Sequence, residues 1–265
     1  MLRIDKVSKT FNPNTVNAKL ALDRLELTLN DGDFVTVIGG NGAGKSTILN
    51  MIAGVYPIDS GRIILNGKDI SNWPEHRRAR FIGRVFQDPM MGTAADMEIE
   101  ENLAMAAKRG MHRGLAWNVA PDDHELFRKK VARLDLGLQD RMHSKVGLLS
   151  GGQRQALTLL MATLRQPELL LLDEHTAALD PMTARKVLTI TREIVEQEHL
   201  TTLMVTHNMK DAIAIGNRLI MMDAGHVIYD VSGQEKSHLT VEDLLHRFEK
   251  ASGNSFDDDE TLLAK

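Results

Sequence analysis

Eight consecutive residues, Gly39-Gly40-Asn41-Gly42-Ala43-Gly44-Lys45-Ser46, satisfy the pattern G-x-x-x-x-G-K-[ST], and Thr47 follows them. Their types suit a ligand that carries several phosphates. Such a ligand needs many backbone N–H groups turned inward around it, and glycine permits both the backbone angles and the close approach. A helix starting near Lys45 would aim the positive end of its dipole at the same anion. Lys45 can then neutralise the β- and γ-phosphates, and the Ser46 hydroxyl can ligate Mg²⁺.

A nucleotide held by its phosphates still needs a metal and an aligned water. Leu169-Leu170-Leu171-Leu172-Asp173-Glu174 ends an apolar run in two carboxylates. Adjacent residues on an extended chain point in different directions, so the pair can divide the labour. Asp173 suits Mg²⁺, directly or through water, and Glu174 suits the attacking water. His207 follows a second apolar run, Thr202-Leu203-Met204-Val205-Thr206, and Gln87 follows Arg84-Val85-Phe86. Taken singly, a strand can end in solvated acids, and a lone histidine or glutamine after a strand can be incidental.

The elements needed to position these groups are visible as hydrophobic patterns. Leu22, Leu25, Leu27 and Leu29 nearly alternate and stop at the turn Asn30-Asp31-Gly32. Phe34–Ile38 is a short strand that the glycines break, and Ile48, Leu49 and Ile52 then recur at helical spacing. Arg62–Leu65 and Gly83–Phe86 are expected strands. From about 88 to 165 strand signals vanish, and Glu98–Lys108, Asp122–Asp135 and Gln153–Leu164 are expected helices, an inserted helical subdomain. Strand and helix alternate again through Leu169–Leu172, Met182–Gln197, Thr202–Thr206 and Asn208–Ile215. Continuous rather than alternating apolar runs point to parallel strands covered on both faces. A helix is expected at Val241–Lys250. The acidic run Asp257-Asp258-Asp259-Glu260 is expected to lie in a solvated, mobile tail.

Composition narrows the class of partner. The chain has 265 residues, 43% hydrophobic and 26% charged, enough for a sizeable globular core. Its net charge of -4 gives no reason to expect nucleic acid, which favours a basic surface. With no cysteine, disulfides and thiolate metal sites are excluded. The first residues lack a signal-peptide core and the apolar runs are too short to span a bilayer. A soluble protein is expected, and any membrane part would come from another polypeptide.

Leu149-Ser150-Gly151-Gly152-Gln153 resembles the signature sequence of the ABC-type ATPases. Its companions follow in that family's order: the phosphate loop Gly39–Thr47, a glutamine at Gln87, the signature, the carboxylates Asp173 and Glu174, the loop Ala178-Leu179-Asp180 and a histidine at His207. The resemblance covers essentially residues 1 to 230. It implies an α/β fold: a P-loop NTPase core with a mostly parallel sheet, an N-terminal antiparallel β subdomain and the inserted helical subdomain. One domain would span 1–250, with the acidic tail at 251–265.

The resemblance also implies a mechanism. Two ATPase domains close head to tail, with ATP between the phosphate loop of one (Gly39, Asn41, Gly42, Ala43, Gly44, Lys45, Ser46, Thr47) and Ser150, Gly151, Gly152 and Gln153 of the other. Asp180 joins the nucleotide site. Glu174, His207, Gln87 and Lys45 form the implied catalytic set, while Ser46, Gln87 and Asp173 hold Mg²⁺. Phe11 matches the aromatic that stacks on adenine, where tyrosine is more usual. Two departures stand out: Ala177 replaces a serine before Ala178-Leu179-Asp180, and His175 replaces a common proline after Glu174.

The implied function is the ATP-hydrolysing subunit of a bacterial transporter, cytoplasmic and peripheral on the inner face of the cell membrane. Its partners would be a second copy or homologous ATPase domain, separate transmembrane permease subunits and, indirectly, a solute-binding protein. Residues Asp173 to Pro181 resemble importers of amino acids or similar small solutes. A soluble ATPase of iron–sulfur cluster assembly and the ATPase subunit of an exporter are the competing readings. Met90, Met91 and the segment to Met105 lie where the family receives a permease helix, although core packing would also account for them.

Overall fold

The computed structural model describes residues 1–111 and 121–252, so the acidic run at 257–260 lies outside the described residues. In chain order come β1 (Leu2–Phe11), β2 (Lys19–Leu29), β3 (Phe34–Gly39), α1 (Lys45–Ala53), β4 (Ser60–Leu65), β5 (Lys68–Asp69) and α2 (Glu75–Arg78). There follow β6 (Ile82–Val85), α3 (Ile99–Ala107), α4 (Pro121–Ala132), α5 (Gly151–Thr163), β7 (Leu169–Asp173) and α6 (Pro181–Gln197). The last are β8 (Thr202–Val205), α7 (Met209–Ala214), β9 (Arg218–Asp223), β10 (His226–Ser232), α8 (Gly233–Ser237) and α9 (Val241–Ser252). Two compact units emerge: Met1–Arg78 with the described residues from Leu200 onward, and Ala79–His199.

The first unit holds an antiparallel sheet in the order β2-β1-β4-β5. The leucine alternation in β2 slips by one residue between Leu22 and Leu25, and there Arg24 adopts φ 43° while the pairing with β1 shifts register. That irregularity lets all four leucines stay buried. In the same unit β3 runs parallel to both β8 and β9, and β10 closes antiparallel on β9. All six residues of β3 are buried, as expected for a strand covered on both faces. Ile38, Met209, Ala212, Leu219, Met221, Val231, Leu244 and Phe248 form one cluster beneath α7 and α9.

Helix α1 buries Ile48, Leu49, Met51 and Ile52. Its C-terminal end is held by Arg78, whose guanidinium donates to the carbonyls of Met51 (2.6 Å), Ile52 (3.0 Å), Ser71 (2.8 Å) and Trp73 (2.8 Å). Burial pulls this guanidinium down to about 10, and its bonds to otherwise orphaned helix-end carbonyls keep it there as a donor.

The second unit holds the parallel pair β6 and β7, in register from Ile82↔Leu169 to Val85↔Leu172, together with α3 to α6. Helix α5 begins two residues before the expected Gln153, because Ser150 and Gln153 form a capping box. The region from 88 to 165 carries no strand among its described residues. Among the described residues no helix is long and apolar enough to cross a membrane.

Candidate nucleotide site

In the first unit the loop Gly39–Gly44 links β3 to α1, and its glycines are there for backbone reasons. A Cβ on Gly39 would lie 2.2 Å from the Met222 carbonyl oxygen, and Gly42 and Gly44 take φ 83° and 101°. A Cβ on Gly44 would meet Leu22 Cδ2 at 2.6 Å and the Ala21 oxygen at 2.8 Å. The loop is pinned by bonds from Ala43 N to Gly40 O (3.2 Å) and from Gly225 N to Ala43 O (3.1 Å). Lys45 is 8% exposed and its ammonium donates to the Gly39 and Gly40 carbonyls at 2.7 and 3.0 Å. A buried ammonium ringed by loop carbonyls beside a helix N-terminus fits a polyphosphate, and Ser46 adds a hard oxygen donor of the kind Mg²⁺ takes.

His207 leaves the same end of the parallel strands as this loop. Phe34 to Val37 pair with Thr202 to Val205 in register, so β3 and β8 finish together. Asn208 caps α7 by accepting from Asp211 N at 3.1 Å. Burial raises the Asp211 carboxyl above its usual range, an effect opposed by the adjacent His207. The Phe11 ring is half-buried, edge-on to Tyr56 with 5.2 Å between centroids, and Lys9 lies over its face.

In the second unit Gln87 and the Asp173–Glu174 pair leave the same end of β6 and β7. Glu174 itself adopts φ 45°, an uncommon conformation for a residue with a Cβ, and its carbonyl accepts from Ala177 N at 2.9 Å. Asp173 accepts from Arg84 at 3.3 Å. The half-buried Arg84 also lies over the Phe86 ring at 4.6 Å. Ser150 caps α5, and Asp180 caps α6 by accepting from Met182 N (3.2 Å) and Thr183 N (3.1 Å). Hydrogen bonds from Thr183 hold the Asp180 carboxyl below its usual range. These two helix starts meet: a Cβ on Gly151 would sit 3.3 Å from Leu179 Cδ2, and one on Gly152 2.0 Å from Thr183 Cγ2. The signature and the Asp180 loop are therefore brought together within this unit.

Two cations escaped the sequence reading. Lys19 Nζ would be 3.2 Å from a Cβ on Gly42, so it stands against the phosphate loop. Arg84 holds Asp173. Neither belongs to a motif; only the strand register, which puts Arg84 opposite Leu171 on the neighbouring strand, signals its reach.

A protein-family profile described as ABC transporter matches residues 22–177. Over 256 residues the chain is 44% identical to the tyrosine transport ATP-binding protein of Clostridioides difficile (strain R20291), covering 95% of this chain and 100% of that one. The chain belongs to the ABC transporter family. Another relative in that family, the spermidine/putrescine import ATP-binding protein PotA of Haemophilus ducreyi, is 33% identical over 89% of this chain. This chain spans only 59% of that relative's length. Among solved ABC structures, a dimeric ATP-binding cassette in a post-hydrolysis state with ADP and Pi has a TM-score of 0.74 at 25% identity, covering 88% of this chain and 98% of that one. The ADP conformation of another ABC transporter cassette has a TM-score of 0.75 at 27% identity, covering 96% and 97%. The ABC transporter fold thus accounts for the α/β class, with an antiparallel N-terminal sheet and mostly parallel strands carrying the phosphate loop.

Proposed function

We propose that this chain binds and hydrolyses ATP as the motor subunit of an importer for amino acids or similar small solutes. The observation that carries the reading is the full-length match to a protein named for tyrosine transport, alongside relatives named for spermidine/putrescine and methionine import. A head-to-tail pair of chains is the working form, supported by the dimeric cassette of the same fold.

Within that reading Lys45 exchanges the Gly39 and Gly40 carbonyls for phosphate oxygens. The loop amides from Gly39 to Thr47 surround the phosphates, and Phe11 stacks on the base. Ser46, Gln87 and Asp173 would hold Mg²⁺, which when bound neutralises phosphate charge. Glu174 accepts a proton from the attacking water, and His207 donates to the γ-phosphate. Ser150 and the Gly151 and Gly152 amides, with Gln153, complete the γ-phosphate's hydrogen bonds from the second chain, and Asp180 supports that closure. The core 1–250 acts as one cassette with its helical insert at about 88–165.

Separate permease subunits supply the membrane path and place the chain on the inner face of the cell membrane. A solute-binding protein supplies the substrate on the other side. Met90 and Met91 are exposed, which favours a docking role for that segment over core packing. Co-expression with the permease it co-purifies with, followed by vesicle uptake of labelled amino acids, tests the reading. The Glu174→Gln variant should retain ATP binding while turnover and uptake fall at least a hundredfold. Unchanged turnover removes Glu174 from its role. Capture of an iron–sulfur scaffold instead of a multi-span permease overturns transport.

A further inference from the structure

The start of α3 carries a polar cluster that the ATPase reading leaves unused. Glu98 is the N-cap of this helix and Glu100 lies in its first turn, only 3% exposed. His143 Nδ1 is 2.9 Å from Glu98 Oε2 and 3.7 Å from Glu100 Oε2, and His124 of α4 contacts the other oxygen of Glu100 through Nδ1. Among the described residues, one ligand atom from each of Glu98, Glu100 and His143 falls within 4.8 Å of the other two.

The backbone fixes this convergence. Ile99 N donates to Ser144 O at 3.1 Å, Glu100 N donates to Met142 O at 3.2 Å, and Glu98 forms an antiparallel bridge with Lys145. The segment bearing His143 is thus laced to the first turn of α3 on both sides of the histidine. Buried Phe127 and Val131 anchor α4 and with it His124. A cleft of ≈ 430 Å³ opens over Glu100, His124, Gln139 and His143, giving an ion a route from solvent. Gln139 Oε1 is buried there without a hydrogen-bond partner.

We propose that Glu98, Glu100 and His143 form a binding site for a Zn²⁺-class ion, with His124 as the partner that orients Glu100. A carboxylate as buried as Glu100 needs a counter-charge, and its direct neighbours are imidazoles, which are borderline donors suited to such an ion. Donors bound to a tetrahedral ion at about 2.0–2.1 Å lie roughly 3.3 Å apart, a spacing that the 2.9 and 3.7 Å separations here bracket. Two carboxylates and one imidazole supply too few oxygens for Ca²⁺ and leave one position of a tetrahedron open. His124 stands to Glu100 as outer partners stand to ligating carboxylates elsewhere. The bound ion joins α3 to the His143 segment and, through His124, to α4.

The test uses the full chain, stripped of metal and free of nucleotide, titrated with Zn²⁺ by calorimetry and with Co²⁺ by visible absorption. One tight equivalent is expected, with a rise in melting temperature as the ion fills its site. His143→Ala and Glu98→Gln should each weaken Zn²⁺ binding more than tenfold and abolish the rise, and His124→Ala should weaken it by about ten- to a hundredfold. The His143 side chain is 76% exposed, so its removal leaves the fold intact, and retained ATP binding verifies that. Wild-type protein that binds no Zn²⁺, or variants that bind it as wild type does, would overturn the site. Loss of ATP hydrolysis bears on the proposed function and leaves this measurement untouched.

Discussion

His175 sits where a proline is common, and its environment gives it a measurable signature. The side chain is 1% exposed, with Nε2 3.0 Å from the Thr191 hydroxyl and Nδ1 without a partner. The Thr191 hydroxyl already donates to Val187 O at 2.8 Å, so the imidazole must donate through Nε2 and leave Nδ1 bare. Burial lowers its pKa to about 4. The unfolded chain takes up this proton below its ordinary pKa while the folded chain does not, so the stabilisation is complete above about pH 6.5 and is lost as pH falls toward 4. From pH 7 to pH 5 this one group should cost about 2 kcal/mol. Urea unfolding of wild type against His175→Gln, which cannot titrate, should show the variant losing less over that interval. Parallel pH profiles would show that His175 is not the titrating group.

The contact between the starts of α5 and α6 separates packing from chemistry at the signature. A Cβ at Gly152 would come within 2.0 Å of Thr183 Cγ2, the methyl of a residue in the first turn of α6. Gly152→Ala should therefore cost about 1–3 kcal/mol through overpacking. Adding Thr183→Ser deletes the offending methyl, keeps the hydroxyl beside Asp180 and should restore most of the lost melting temperature. If the double variant stays as unstable as the single one, the clash is not the cause. Such close approaches also mark what was legible beforehand. The phosphate loop and signature announce themselves because phosphate recognition by backbone fixes residue types at fixed spacing. Strands β9 and β10 carry no comparable signal: Met221 and Met222 have little strand preference, and β10 is mostly half-exposed. The slip at Arg24 was visible only as an imperfect alternation, because a bulge leaves no residue type of its own. Arg84 lay beyond sequence reasoning because its partner, Asp173, is a strand away.

At the scale of the assembled molecule, the proposal that ATP is gripped by two chains has a consequence that no single chain can mimic. A head-to-tail pair has two equivalent sites, each built from the loop of one chain and the signature of the other. Lys45→Ala removes the ammonium from the loop, and Ser150→Arg blocks the signature; either variant alone disables both sites of its homodimer. In a mixed dimer the two lesions fall on the same site, which leaves the other composed of an intact loop and an intact signature. Equal mixing makes half of the dimers heterodimers with one good site of two, so activity should return to about one quarter of wild type if sites act independently. A lower recovery, still well above either parent, would mean that turnover at one site depends on its twin. Sites assembled within one chain predict no recovery, since every chain in the mixture then carries a lesion. ATPase rates of the parents and of the co-refolded mixture, with dimer formation followed by light scattering, decide the matter. Recovery above both parents requires that the two halves of a site come from different chains, because no other arrangement of these two lesions yields a complete set of groups around one nucleotide.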